Sequence, residues 1–278
     1  MTQDTSGHSV FALVAGHCMH VYQTGIESGV KLVFMSGSGT VSPVHDFKIL
    51  YQELAASCRI IVIEKFGYGQ SDLYESPTDI DSLISFQRQA LSAAGVEGPY
   101  ILVPHSLSGL EAIRWKQLHP QEVSAIIGLD MATPETYLDW DSDTVARRIS
   151  LISKMRKYLD RGLLFWYPLF TRSLTRQEID MQRELWKRNA FNKCYINEAQ
   201  SLIRNVSIVE SAGIIECPIL MFVSNGKQVY KNWIENCRQF ASQTNARTVY
   251  LNCGHYVHHY ESQSISQEIQ RFLSGIKK

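Results

Sequence analysis

No sign of charge dominates this sequence: 27 Lys and Arg stand against 27 Asp and Glu over 278 residues. That balance argues against a general electrostatic grip on nucleic acid or an anionic membrane. There is no run of about 18 apolar residues, so no spanning helix is expected. "VFALVAG" near the start is too short for a secretory signal and lacks a basic leader. The cysteines, Cys18, Cys58, Cys194, Cys217, Cys237 and Cys253, form no C-x-x-C pair. A zinc site or a disulfide framework is therefore a poor reading. Several sit in apolar, strand-like contexts, where a reduced thiol behaves as a small hydrophobe. The expected compartment is reducing, most simply the cytoplasm. Internal repeats, low-complexity tracts and composition breaks are also lacking. One large α/β domain, with an insertion, is the first expectation for a chain long enough to bury a sizeable core. No feature of the sequence sets an oligomeric state.

What is present is a rhythm of buried strands and helices. "VKLVFMSG" (Val30 to Gly37) and "CRIIVIEKFG" (Cys58 to Gly67) are short β-branched runs that end in glycine. "FKILYQELAAS" between them has helical spacing, as has "SLISFQRQALSAAGV", closed by Gly95. "YILVPHS" is the next strand, followed by a helix through Leu118, and "VSAIIGLDMATP" is a strand ending near Leu129. "CPILMFVSNG" and "ARTVYLNCGH" are later strands, and "SQSISQEIQRFLSGI" is a closing amphipathic helix. The alternation predicts an α/β fold with a mainly parallel β-sheet flanked by helices. Residues 135–213 break the rhythm with successive helices, leaving 1–134 and 214–278 as the core. A helical insertion there reads as a cap. Its aromatic cluster, Phe165, Trp166, Tyr167 and Phe170, either packs the insertion or lines an apolar substrate pocket.

"VPHSLSG" places Ser106 at the carboxyl end of a strand, where sites in parallel α/β sheets form. A nucleophile elbow needs small residues two before and two after the serine, because larger side chains collide in so sharp a turn. Pro104 and Ser108 hold those positions, with Gly109 next. The competing reading is a serine capping a helix. An acyl-transfer serine needs a base and a carboxylate to orient it. "YLNCGHYVHHYE" offers His255 after a late strand. His258 and His259 follow, but no carboxylate or Cys motif of zinc spacing accompanies them, so no metal is expected.

In these motifs the chain resembles the α/β-hydrolase superfamily over nearly its whole length. "VFMSGSG" is similar to the oxyanion-loop segment. "EKFGYGQSD" is similar to D-x-x-G-x-G-x-S with Glu64 for Asp, "VPHSLSG" to the elbow, and "NCGHYVHH" to the terminal histidine motif. The resemblance implies that Ser106 is the nucleophile and His255 the base. It also implies an oxyanion hole from two backbone N–H groups, those of Leu107 and Ser38. Ser36-Gly37 stands where relatives often have His-Gly. Glu64 and Ser71 are expected to be structural, the carboxylate organising its turn through backbone amides.

The acid departs from the pattern. Many members place it after the strand that here reads "PILMFVSNGKQVYKNW", yet Ser224 to Trp233 contains no Asp or Glu. Asn225 is the nearest analogue and carries no charge. "IIGLDMATPE" puts Asp130 at the end of the preceding strand, as in some lipases of the superfamily. Asp130 is therefore the expected acid, with Glu135 a weaker substitute and a turn or helix-cap role the alternative.

The expected activity is a serine hydrolase cleaving an ester or related acyl bond, without cofactor, on a small-molecule substrate with an apolar portion. The dehalogenase and epoxide-hydrolase branches use Asp at the nucleophile position. An amidase or iminopeptidase, or a non-catalytic ligand-binding member of the fold, are the alternatives.

Overall fold

The computed structural model describes residues 7–164 and 169–276. An eight-stranded sheet runs through the molecule in the order β1-β2-β4-β3-β5-β6-β7-β8. Strands β1 (His8–Val14) and β2 (His17–Gly25) form an antiparallel hairpin, and β2 pairs antiparallel with β4 (Cys58–Glu64). From there β3 (Val30–Met35), β5 (Tyr100–Pro104), β6 (Val123–Leu129), β7 (Ile219–Val223) and β8 (Arg247–Tyr250) pair in parallel.

The central strands are buried on both faces, which is why they read as continuous apolar runs. Their alternate residues feed two separate cores. Ile61 and Ile63 of β4 join one face, with helices α2 (Ile80–Ala93), α3 (Ser108–Leu118) and α7 (Trp233–Thr244). Ile60 and Val62 join the other, with α1 (Pro43–Leu54), the short α8 (Val257–Tyr260) and α9 (Ser262–Ile276). The period of two therefore sorts side chains between the layers.

Between β6 and β7 come a 3₁₀ turn (Pro134–Tyr137) and three helices, α4 (Ser142–Asp160), α5 (Arg176–Asn189) and α6 (Lys193–Ser211). Each start is fixed by its own sequence. Asp141 accepts from the Thr144 N–H, Thr175 and Glu178 form a reciprocal capping box, and Asn192 accepts from the Tyr195 N–H. No helix of the described residues is long and apolar enough to cross a membrane. None of the six cysteines is paired.

The β1–β2 hairpin and α7 have no counterpart among the elements expected from the sequence. The β1 strand is an edge whose Phe11 and Leu13 are exposed, so its buried and exposed residues do not alternate with hydrophobicity. Helix α7 starts after Asn232, which adopts a left-handed conformation and makes no side-chain cap hydrogen bond.

Candidate active site

Strand β5 ends at Pro104, and the chain then turns so sharply that Ser106 sits at φ 54°. A non-glycine residue held there stores strain that the surroundings must fix. Those surroundings are tight. A Cβ on Gly37 would lie 2.7 Å from the Ser106 Cβ, and one on Gly109 would lie 2.1 Å from the Ala132 carbonyl. Only glycine lets these backbones approach. Ser108 fills its small position by bonding: its hydroxyl donates toward the Met35 and His105 carbonyls at 2.7 and 2.9 Å, and accepts from the His105 N–H. The serine that stands in for glycine thus ties the elbow to the end of β3.

His255 lies on the loop after β8. A Cβ on Gly254 would meet Gln228 Oε1, and that oxygen accepts the His255 backbone N–H at 3.1 Å. The ring's Nε2 is 2.9 Å from Ser106 Oγ and its Nδ1 is 2.6 Å from Asp130 Oδ2. An ionised carboxylate only accepts, so in the neutral ring Nδ1 carries the hydrogen and Nε2 accepts from the serine hydroxyl. Asp130 is fully buried at the end of β6, at φ 46°. Its Oδ1 accepts from the Ser224 backbone N–H and the Trp233 indole N–H, both at 2.8 Å. A dry carboxylate with three donors is the arrangement that burial of a charge requires. The segment from Ser224 to Trp233 thus supplies donors to an acid it does not itself carry. Asn225 is turned elsewhere, its Oδ1 accepting from Lys227 N. Glu135 keeps one buried carboxylate oxygen without a partner and takes no part in the Ser106–His255–Asp130 chain.

Leu107 and Ser38 line the same cavity as Ser106 and His255. The backbone N–H of neither donates to an acceptor among the described residues. The Ser38 hydroxyl donates to Glu198 of α6 at 2.7 Å, and Tyr68 donates to the same carboxylate while accepting from Gly39 N–H. Lys65 meets both Glu198 and Glu111 at 2.7 Å. Burial works against the Lys65 charge, but the two carboxylates outweigh it and raise its pKa; burial likewise works against Glu198, and Lys65 outweighs it and lowers the pKa. The loop carrying Ser38 is therefore fastened to α6 through a buried ion cluster.

Glu64 accepts from the Gln70 and Val44 backbone N–H groups and meets His20 at 2.7 Å, while Ser71 donates to its carbonyl. It organises a turn, as its position suggested. A Cβ on Gly69 would collide with the carboxylate.

The cavity at Ser106 measures about 270 Å³. Its apolar wall comes from Leu107, Tyr137, Leu202, Val229 and Trp233, and its polar side includes Ser38, Arg148, Gln228 and Tyr230. Phe165, Trp166 and Tyr167 lie outside the described residues. Phe170 is not among the residues lining this cavity; its ring stacks face to face on His259 at 3.6 Å.

His258 and His259 do gather round a carboxylate, one the local sequence could not show. Asp46 of α1 meets His258 Nε2 and His259 Nε2 at 3.0 Å each. The three could offer one ligand atom each within 4.8 Å of one another, a donor set suited to zinc. As they stand, His258 Nε2 hydrogen-bonds Asp46 Oδ2, while His259 Nε2 lies 3.0 Å from Oδ1 without hydrogen-bond geometry. Burial works against the Asp46 charge, yet His259 and His258 outweigh it and hold the carboxyl far below its usual range. Burial depresses the pKa of His258 itself. His105, also buried, has its pKa pushed well down by burial first and then by His255 and His258.

No family model matches the chain. It is 30% identical over 277 residues to the uncharacterized protein YbdG of Bacillus subtilis, covering 95% of this chain and 85% of that one. Among solved structures, a haloalkane dehalogenase from Bradyrhizobium elkani superposes with a TM-score of 0.75 at 17% identity, covering 98% of each chain. A protein assigned as a lipase from Acinetobacter baumannii superposes with a TM-score of 0.75 at 18% identity, covering 98% of this chain and 92% of that one. Sheet order and these likenesses show the α/β-hydrolase fold, and the chain belongs to the same family as YbdG.

Proposed function

We propose that the protein is a serine hydrolase that cleaves an ester or related acyl bond through Ser106, His255 and Asp130. The observation that carries this reading is the continuous hydrogen-bonded chain from Ser106 Oγ to His255 Nε2 and from His255 Nδ1 to Asp130 Oδ2. Ser106 Oγ attacks the acyl carbon while its proton passes to His255 Nε2. The carbonyl oxygen takes the negative charge, facing the Leu107 and Ser38 N–H groups. Collapse expels the leaving alcohol, which takes the proton back from His255. Water then adds to the acyl-enzyme with His255 again as base, releasing the acid and restoring Ser106. Asp130 holds the ring in the reactive tautomer and stabilises the imidazolium.

A serine at the nucleophile position separates this chemistry from the aspartate-based dehalogenase branch. Residues 135–213 act as a cap over a core of 1–134 and 214–278; supporting this, α4 supplies Arg148 and α6 supplies Ala199 and Leu202 to the cavity wall.

The test is hydrolysis of p-nitrophenyl esters of increasing acyl length beside amide and lactone substrates, with folded Ser106→Ala as control. Ester turnover lost in the variant supports the reading. Turnover kept by the variant, or saturable ligand binding with no turnover of any substrate, overturns it.

A further inference from the structure

Arg148 is the one Lys, Arg, Asp or Glu among the described residues that line the Ser106 cavity. It reaches in from α4, and its guanidinium donates through Nη1 to the Tyr230 hydroxyl at 2.6 Å and through Nη2 to the Tyr195 hydroxyl at 3.1 Å. Both phenols have pKa values raised, by burial first, so both are neutral and neither balances the charge. No Asp or Glu among the described residues forms an ion pair with Arg148. The nearby Glu198 is already committed to Lys65, Ser38 and Tyr68. The contrast with Lys65, which meets two carboxylates, is sharp.

A largely buried cation held only by neutral partners is costly. A guanidinium has five N–H donors in a planar fork that suits a carboxylate two bonds at a time, and two tyrosines here fix that plane before anything binds. We infer that Arg148 is the anion-recognising residue of this cavity, and that the substrate carries a carboxylate at some remove from the acyl carbon presented to Ser106. A half-ester of a short dicarboxylic acid has this shape, and the size of the cavity favours a small one. A substrate bearing a free ammonium group, as an iminopeptidase requires, would instead face an unbalanced positive charge. The inference rests on the reading of Ser106 as nucleophile, and replaces an apolar acyl group with an anionic one.

The experiment compares 4-nitrophenyl hemiglutarate with 4-nitrophenyl valerate, in which a methyl group takes the place of the carboxylate. The wild-type protein is expected to favour the hemiglutarate at least tenfold in kcat/KM. Arg148→Gln should lower that ratio at least tenfold, mainly through KM for the anionic ester, and Arg148→Lys should keep part of the preference. A second arm measures thermal stabilisation by glutarate, expected for wild type and for Ser106→Ala but not for Arg148→Gln. A wild-type protein that favours valerate, or the same ratio in wild type and Arg148→Gln, overturns the inference while ester hydrolysis by Ser106 stands. If neither ester is turned over, the serine-hydrolase reading is decided by the wider ester, amide and lactone panel. The glutarate arm then decides anion recognition alone: stabilisation that Arg148→Gln abolishes supports it, and equal or absent stabilisation overturns it. Should Arg148→Gln not fold, the wild-type ratio and the Arg148→Lys variant decide.

Discussion

Trp233 donates its indole N–H to Asp130 Oδ1, on the side of the carboxylate away from His255. The two residues are 103 positions apart, and Trp233 is the first residue of α7. Trp233→Phe keeps the aromatic ring and removes the donor. A buried carboxylate short of one bond should cost about 1.5–3 kcal/mol. Urea unfolding of the variant checks this; wild-type stability would show that the indole N–H matters little to Asp130.

Asp130→Asn should cut kcat by about 10⁴-fold, as loss of the acid does in a worked triad. An amide cannot stabilise the imidazolium, and its NH₂ favours the wrong tautomer. Asn225→Ala should change kcat little, because Asn225 bonds its own turn rather than His255. Steady-state kinetics on one ester separate the two variants. A near-normal rate in Asp130→Asn contradicts its assignment as the acid.

Gly37→Ala puts a methyl group 2.7 Å from the Ser106 Cβ and 3.0 Å from His105 Nδ1. Neither neighbour is the far end of a flexible chain. Overpacking of this kind costs about 1–3 kcal/mol. The elbow must shift, so kcat should fall more steeply than stability. Activity retained alongside an unchanged melting temperature would mean that the loop yields freely.

Acid should destabilise the fold earlier than carboxylate titration alone would. The folded-state pKa values of His105 and His258 lie below the ordinary value of 6.5, burial being the largest cause for each. Below about pH 6.5 the unfolded chain binds these protons more readily than the folded one. Stability therefore rises with pH in this window, is full above it, and is lost as pH falls toward the folded-state values. Melting temperatures between pH 8 and 5 test this, with His105→Gln expected to flatten the acid side. An unchanged slope in that variant goes against the assignment.

Much of the site was legible because its parts stand at strand ends. "VPHSLSG" showed the elbow through its small residues, and the empty stretch from Ser224 to Trp233 directed attention to Asp130. The missing pieces share a physical cause, which is that their partners are distant in sequence. Asp46 lies 212 residues from His258. Arg148 stands on α4 among other charged residues, and only the folded chain brings it to the cavity at Ser106. The β1–β2 hairpin was hidden because an edge strand with exposed Phe11 and Leu13 breaks the alternation that marks a half-buried strand.

Everything proposed for this site depends on Ser106 being an activated nucleophile. Intact-mass measurement after brief exposure to a fluorophosphonate tests it most directly. A single adduct is expected on the wild-type protein, mapped to Ser106, with slower labelling of Asp130→Asn and none on folded Ser106→Ala. Labelling of Ser106→Ala at the wild-type rate, or no adduct on the folded wild-type protein, would contradict it.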